Sequence, residues 1–186
     1  MKVTSSAFIA IAFLSLPVFA ADPQAAGVPN FHQVNQIVFR GGQPSNDGWA
    51  SLHKLGVLTV VDLRREDEHS SKAEQQAVEA AGMHYVNVPL QGVVSPPPEK
   101  IAKVLALLNG PDPVFVHCKR GADRTGTVIA CYRMSHDRWD SKRALAEAKS
   151  FGMSMFQVGM KSYVRSYQPG TVEADNSTAP AAAVAR

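Results

Sequence analysis

Apolar positions run along this chain in two alternating rhythms. Short apolar runs at 36–40 ("QIVFR"), 57–63 ("VLTVVDL"), 84–90 ("HYVNVPL") and 113–117 ("PVFVH") suit strands. The second is continuous enough for a strand buried on both faces, and the fourth reads as the central strand. Between them the spacing becomes helical. After Pro44-Ser45, the residues Trp49, Leu52 and Leu55 share one face, which Gly56 closes. A helix over 71–81 stops at Gly82, and Ile101, Val104, Leu105 and Leu108 mark another within 97–108. Val128, Ile129 and Tyr132 line a helix over 125–136, and two more follow at about 140–151 and 154–167. Strand and helix alternating in this way predict an α/β fold. We expect a single domain over about 28–168, with a mostly parallel central sheet flanked by helices and no internal repeats.

The ends fall outside this pattern. Lys2 precedes an apolar stretch from Ala7 to Leu16, then Pro17 and the small-residue site Val18-Phe19-Ala20. That stretch is too short to span a bilayer, so residues 1–20 read as a signal peptide and the protein as exported, periplasmic or secreted, without stable membrane insertion. Residues 21–27 and 169–186 are rich in Ala, Pro, Ser and Thr and read as a flexible N-terminal segment and a disordered tail. The formal net charge of +3 includes Lys2, so the processed domain is close to neutral and nucleic acid is not implied.

Candidate chemistry concentrates in "HCKRGADRTG", residues 117–126, a strand-to-helix turn at the carboxyl end of the central strand, where open α/β sheets bind ligands. A loop opening into a helix aims unpaired N–H groups one way, and the helix dipole adds positive potential there. Gly121 and Gly126 let the backbone curl around an oxyanion. Arg124 offers a planar fork that matches two oxygens of a tetrahedral phosphate, which lysine does not. The same cradle favours the thiolate of Cys118. The other cysteine, Cys131, would lie about 10 Å along the following helix from Arg124 at 1.5 Å per residue, too far for a disulfide to Cys118. Cys131 therefore reads as a buried structural thiol and Cys118 as a free one.

The stretch resembles the signature of cysteine-dependent protein tyrosine and dual-specificity phosphatases, His-Cys-x-x-Gly-x-x-Arg-(Ser/Thr)-Gly, with each fixed position matched from His117 to Gly126. Weaker echoes lie in "FRGGQPS" and "VVDLR", and the small bacterial, exported members are the nearest in kind. The resemblance implies a phosphatase-like fold and hydrolysis of phosphomonoesters through a phosphocysteine on Cys118, with no metal and no cofactor. Lys119, Arg120, Gly121, Ala122, Asp123 and Arg124 would wrap the phosphate. Thr125 would donate to the departing thiolate, and His117 would order the loop from behind. One departure stands out: the family's upstream acid loop corresponds to "VPLQGVVSPPPE", which has no aspartate. Its only acid, Glu99, reads as first-turn helix dressing. Asp123 takes the proton-donor role by resemblance to phosphatases with an in-loop aspartate, against a reading in which it pairs with a neighbouring base or caps the helix. Asp62 stands third and reads as structural.

The expected substrate is a phosphorylated protein or a small phosphorylated molecule, and the expected state a monomer. Phosphotyrosine leads, with phosphoserine and phosphothreonine behind. Lys119 keeps an inositol polyphosphate or phosphoinositide alternative open, although Ala122 stands where the family's second loop lysine would be. The missing aspartate leaves a phosphate-binding pseudo-phosphatase as a further alternative, and sulfur transfer or thiol redox chemistry trails both. The acidic run Glu66, Asp67, Glu68 and His69 reads as a solvated loop, with Arg64 and Arg65 near the pocket mouth. Met153, Met155, Phe156, Val158 and Met160 read as a core stripe, and His32, His53, His84 and His136 show no ligand spacing, while Arg40, just before Gly41-Gly42, reads as a surface residue by default with a place in the pocket wall as the alternative.

Overall fold

The computed structural model describes residues 24–170, so the signal peptide read at 1–20 and all but two residues of the tail lie outside the described residues. The chain runs β1 (His32–Gln33), β2 (Val38–Gly41), α1 (Asn46–Lys54), β3 (Thr59–Asp62), a short 3-10 turn (Glu66–Glu68), α2 (Ser71–Ala80), β4 (His84–Asn87), α3 (Pro98–Leu108), β5 (Val114–His117), α4 (Asp123–His136), α5 (Ser141–Ser150) and α6 (Val158–Ser166). Several helix starts have local causes. The Ser70 hydroxyl accepts from the Ala73 amide at 3.2 Å, Asp140 accepts from the Arg143 amide at 2.7 Å, and Pro98 opens α3 where a missing N–H costs nothing.

The five strands lie in the order β1-β2-β5-β3-β4, all parallel except the β1–β2 pair. The chain thus inserts its last strand between two earlier ones, and the register sets Gly41, His117, Asp62 and Asn87 in a row at the carboxyl ends. Side chains alternate along each strand. Val38, Val61, Val114 and Val116 join Ile101, Val104, Ile129 and Val164 in a core under α3 to α6. Phe39, Val60 and Phe115 join Trp49, Leu52 and Val78 under α1 and α2. α4 is buried along most of its length, and Gly126 lets it approach α5, because a Cβ there would lie 3.3 Å from that of Ala148.

Four local expectations change. β1 is two residues long, too short to carry a period. α4 begins at Asp123, two residues before the predicted start, because the loop after β5 itself winds into the first turn. The segment read as loose at 21–27 is packed in part, with Ala25 buried in the α1 core and the Gly27 carbonyl accepting from the Ser45 amide at 2.8 Å. The methionine stripe splits: Met153 and Met160 are core, while Met155, Phe156 and Val158 are exposed. Among the described residues, no helix is long and apolar enough to cross a membrane.

Candidate active site

The loop from Cys118 to Ala122 is shaped from behind. The Lys119 carbonyl accepts from the Gln43 amide at 3.2 Å and the Arg120 carbonyl from Asn30 Nδ2 at 3.3 Å. The Gly121 carbonyl accepts from Arg40 Nη2 at 2.7 Å and from Asn30 Nδ2 at 3.2 Å. In a trans peptide the N–H points opposite to the C=O, so carbonyls held outward turn the amides of Arg120, Gly121 and Ala122 inward. Gly121 has φ +68°, and a Cβ on it would sit 2.3 Å from the Gly41 carbonyl carbon. Only glycine allows this backbone contact.

Arg40 is therefore not the surface residue that its type suggested. It is fully buried, its guanidinium lies 4.2 Å over the Phe151 ring, and Nε and Nη1 have no hydrogen-bond partner. Burial, the largest influence, lowers its pKa to about 10, with Glu147 and Cys118 acting in the other direction. Little in the local sequence betrays it, since Arg40 and Asn30 reach the loop across 81 to 91 residues of chain. The Gly41-Gly42 pair that follows was the one available hint.

Cys118 is free and buried at the base of the loop. Thr125 is fully buried, and its hydroxyl has no hydrogen-bond partner. Lys119 and Arg120 are exposed, Gly121 and Ala122 buried. Arg124 is oriented by a carboxylate: its Nη1 and Nη2 donate to Glu68 Oε1 and Oε2 at 2.6 and 2.8 Å, and Nη1 lies 3.4 Å from the carbonyls of Leu63 and Leu90. Burial works against its charge, but Glu68 and then Cys118 hold its pKa above the ordinary value. Glu68 is correspondingly held down by Arg124. The acidic run read as a solvated loop thus supplies a partner to the fork that the sequence assigned to phosphate. Asp123 accepts from the Ser154 amide through Oδ1 at 2.8 Å and from Arg120 Nη2 through Oδ2 at 2.6 Å, so both of its oxygens are engaged.

Behind the loop lies a buried charged cluster. Arg64 Nε donates to Asp62 Oδ1 at 3.0 Å and Nη2 to Asp62 Oδ2 at 3.1 Å, and Nη2 also pairs with Glu74. Tyr85 donates to Asp62 Oδ2 at 3.0 Å, and His69 Nε2 stands 2.7 Å from the same oxygen. His117 stacks on Phe115 at 5.4 Å, with Nε2 3.0 Å from Glu74 Oε1, at ion-pair distance but outside hydrogen-bond geometry. Burial lowers the His117 pKa to about 4, so it is neutral near pH 7. Burial opposes the Asp62 charge, yet Arg64 and His117 keep its pKa below the usual value. Asp62, Glu74 and His117 offer three ligand atoms within 4.8 Å of one another, the one grouping among the described residues able to hold a metal. The Arg64 guanidinium already bridges both carboxylates and supplies the positive charge. Sequence reasoning missed Glu74, although it sits four residues before Val78 on the buried face of α2, where an acid is out of place.

Residues 23–166 match the family described as "DSP-PTPase phosphatase fused to NAD+ Kinase". The inositol diphosphatase DSP2 of Oryza sativa subsp. japonica is 35% identical over 121 residues, covering 60% of this chain and 58% of that protein. The dual specificity protein phosphatase TpbA of Pseudomonas aeruginosa is 26% identical over 163 residues, 82% of this chain and 72% of that one. Its crystal structure superposes with a TM-score of 0.65 at 27% identity, covering 80% of this chain and 89% of the other, and a second TpbA structure, with a TM-score of 0.64 at 26% identity and covering 79% and 87%, contains pTyr. The catalytic domain of the PP-IP phosphatase SIW14 of S. cerevisiae shares the fold, with a TM-score of 0.68 at 22% identity over 78% of this chain and 89% of its own.

Proposed function

Because this chain belongs to the DSP-PTPase phosphatase family and is a cysteine-dependent phosphatase, we propose that it hydrolyses phosphomonoesters through a phosphocysteine on Cys118, with phosphotyrosyl proteins as the leading substrate. The observation that carries this reading is the set of carbonyls of Lys119, Arg120 and Gly121 bonded from behind the loop, which turns the amides of Arg120, Gly121 and Ala122 the opposite way in the loop that follows the buried Cys118.

The Cys118 thiolate attacks phosphorus, the P–O bond to the leaving group breaks, and that oxygen takes a proton. Water then attacks phosphorus, the P–S bond breaks, and inorganic phosphate leaves with the thiolate restored. The inward amides and Arg124 stabilise the equatorial oxygens in both steps. Arg124 has five N–H donors, so it keeps donors for phosphate while Glu68 holds part of the fork. The unpartnered Thr125 hydroxyl is available to the leaving thiolate. His117, neutral and buried against Phe115, fixes the start of the loop. Asp123 is the proposed proton donor. Oδ1 stays on the Ser154 amide, and the exposed Arg120 side chain swings away to free Oδ2.

Replacing Cys118 by Ser abolishes turnover while phosphate-analogue binding persists; retained turnover overturns the nucleophile. Asp123→Asn slows esters with poor leaving groups and spares those with good ones, whereas equal loss on both reduces Asp123 to a tether. A second reading, inositol phosphates, draws on the exposed Lys119 and Arg120 and on the rice inositol diphosphatase. Rates on a phosphotyrosine peptide, a phosphoserine peptide and inositol hexakisphosphate separate the readings. Export to the periplasm or medium and a monomeric state complete the proposal.

A further inference from the structure

Val93, Val94, Met155, Phe156 and Val158 are large apolar side chains with 48% to 75% of their surface exposed. They come from two segments far apart in the chain that are sewn together. The Gly159 amide donates to the Val93 carbonyl at 2.9 Å, the Val93 amide to Gln157 Oε1 at 2.8 Å, and the Ser95 hydroxyl to the Gly159 carbonyl at 3.1 Å. A Cβ on Gly159 would come within 2.5 Å of Ser95 N and Val93 O, so the two backbones touch. Val93 holds φ +71°, a conformation that a β-branched residue adopts only when its surroundings impose it.

This apolar collar is fastened to the phosphate loop at both segments. The Ser154 amide sits on Asp123 Oδ1 at 2.8 Å, and the Leu90 carbonyl lies 3.4 Å from Arg124 Nη1. The collar therefore flanks the cradle. Residues 90–97 and 152–159 contain no charged side chain. The Lys161 ammonium beyond them is bonded to the Met155 carbonyl. A ligand carrying several phosphates finds no cation within either segment, whereas an aliphatic or aromatic side chain finds surface to cover.

We propose that the collar is a specificity surface for a phosphopeptide that carries an aliphatic or aromatic residue beside its phosphorylated side chain. The assignment rests on the phosphomonoesterase reading above and gives it a substrate class. The test compares para-nitrophenyl phosphate with two phosphotyrosine peptides that differ only in flanking Leu and Phe against Ser and Gly. Both the wild-type protein and the double variant Met155→Ser, Phe156→Ser are measured.

The wild type favours the apolar-flanked peptide by about tenfold or more in kcat/KM, mostly through KM, since one well-buried group supports discrimination of that size. The double variant loses this preference and keeps its rate on para-nitrophenyl phosphate. Equal rates on the two peptides, or a preference that survives in the variant, overturn the proposal. Peptide affinities measured with Cys118→Ser give the same readout without turnover, so a failure of hydrolysis strikes the catalytic reading alone. Two other outcomes also overturn it: wild-type binding to phosphatidylcholine–phosphatidylglycerol vesicles that the variant loses, or a dimer that the variant dissociates.

Discussion

The two faces of the sheet are built on different principles. Under α3 to α6, Ile101, Val104, Ile129, Val164 and their neighbours form a core of apolar side chains. Under α1 and α2 the apolar core of Phe39, Val60, Phe115 and Trp49 gives way beside His117 to Asp62, Arg64, Glu74, His69 and Tyr85, a charged cluster in which few polar atoms meet water. Apolar packing stabilises by area and tolerates small shifts, while a buried ion network costs desolvation and gives direction in return. The face that gives up packing stands behind the first residue of the phosphate loop, and the face that keeps it anchors the helix after the loop. Stability and orientation are thus divided between the two sides of one sheet.

This contrast can be broken most severely at Glu74. Glu74→Ala takes one of the two carboxylates from Arg64, leaving Asp62 to pair it alone, removes the acid beside His117, and should destabilise by about 3–5 kcal/mol, read by urea unfolding. The triple change Asp62→Asn, Arg64→Leu and Glu74→Leu sharpens the point, because it removes both carboxylates together with their guanidinium and should recover most of that stability without recovering the phosphatase rate. On the other face, Ile101→Ala should cost about 2–5 kcal/mol yet leave kcat/KM per folded molecule unchanged. Acid should act on the charged face first. His117 has its folded pKa lowered to about 4 from 6.5, so the unfolded chain binds the extra proton between those values. Stability is then full above about pH 6.5 and falls as the pH drops toward 4, by an amount on the order of 2–3 kcal/mol measurable in unfolding curves. The smallest effect belongs to Tyr85→Phe, which removes one bond to Asp62 and should cost about 0.5–1.5 kcal/mol.

The sequence disclosed what local chemistry determines. β2 to β5 follow apolar runs, α1 to α3 follow face spacing and capping signals, and the phosphate loop follows from fixed residues within ten positions. It hid what depends on contacts between distant segments. Glu68 sits in an acidic run that looks solvated until Arg124 arrives from 56 residues downstream. Arg40 looks like an ordinary strand-end base until Gly121 closes on it. Met155 and Phe156 carry the same spacing as core residues, and only the hydrogen bond from Ser154 to Asp123 shows why their segment is held beside the site instead. Periodicity reports that a side chain is apolar, not what will cover it.

The tethers that Asn30 and Arg40 make to the phosphate loop span most of the domain, and contacts of such sequence separation are among the last to form when a chain collapses. A ring of amides closed by the amino-terminal arm appears only once that arm has docked. The onset of catalysis in a refolding experiment would therefore trail the recovery of helix and sheet, and the enzyme's own turnover would serve as the clock for completed assembly.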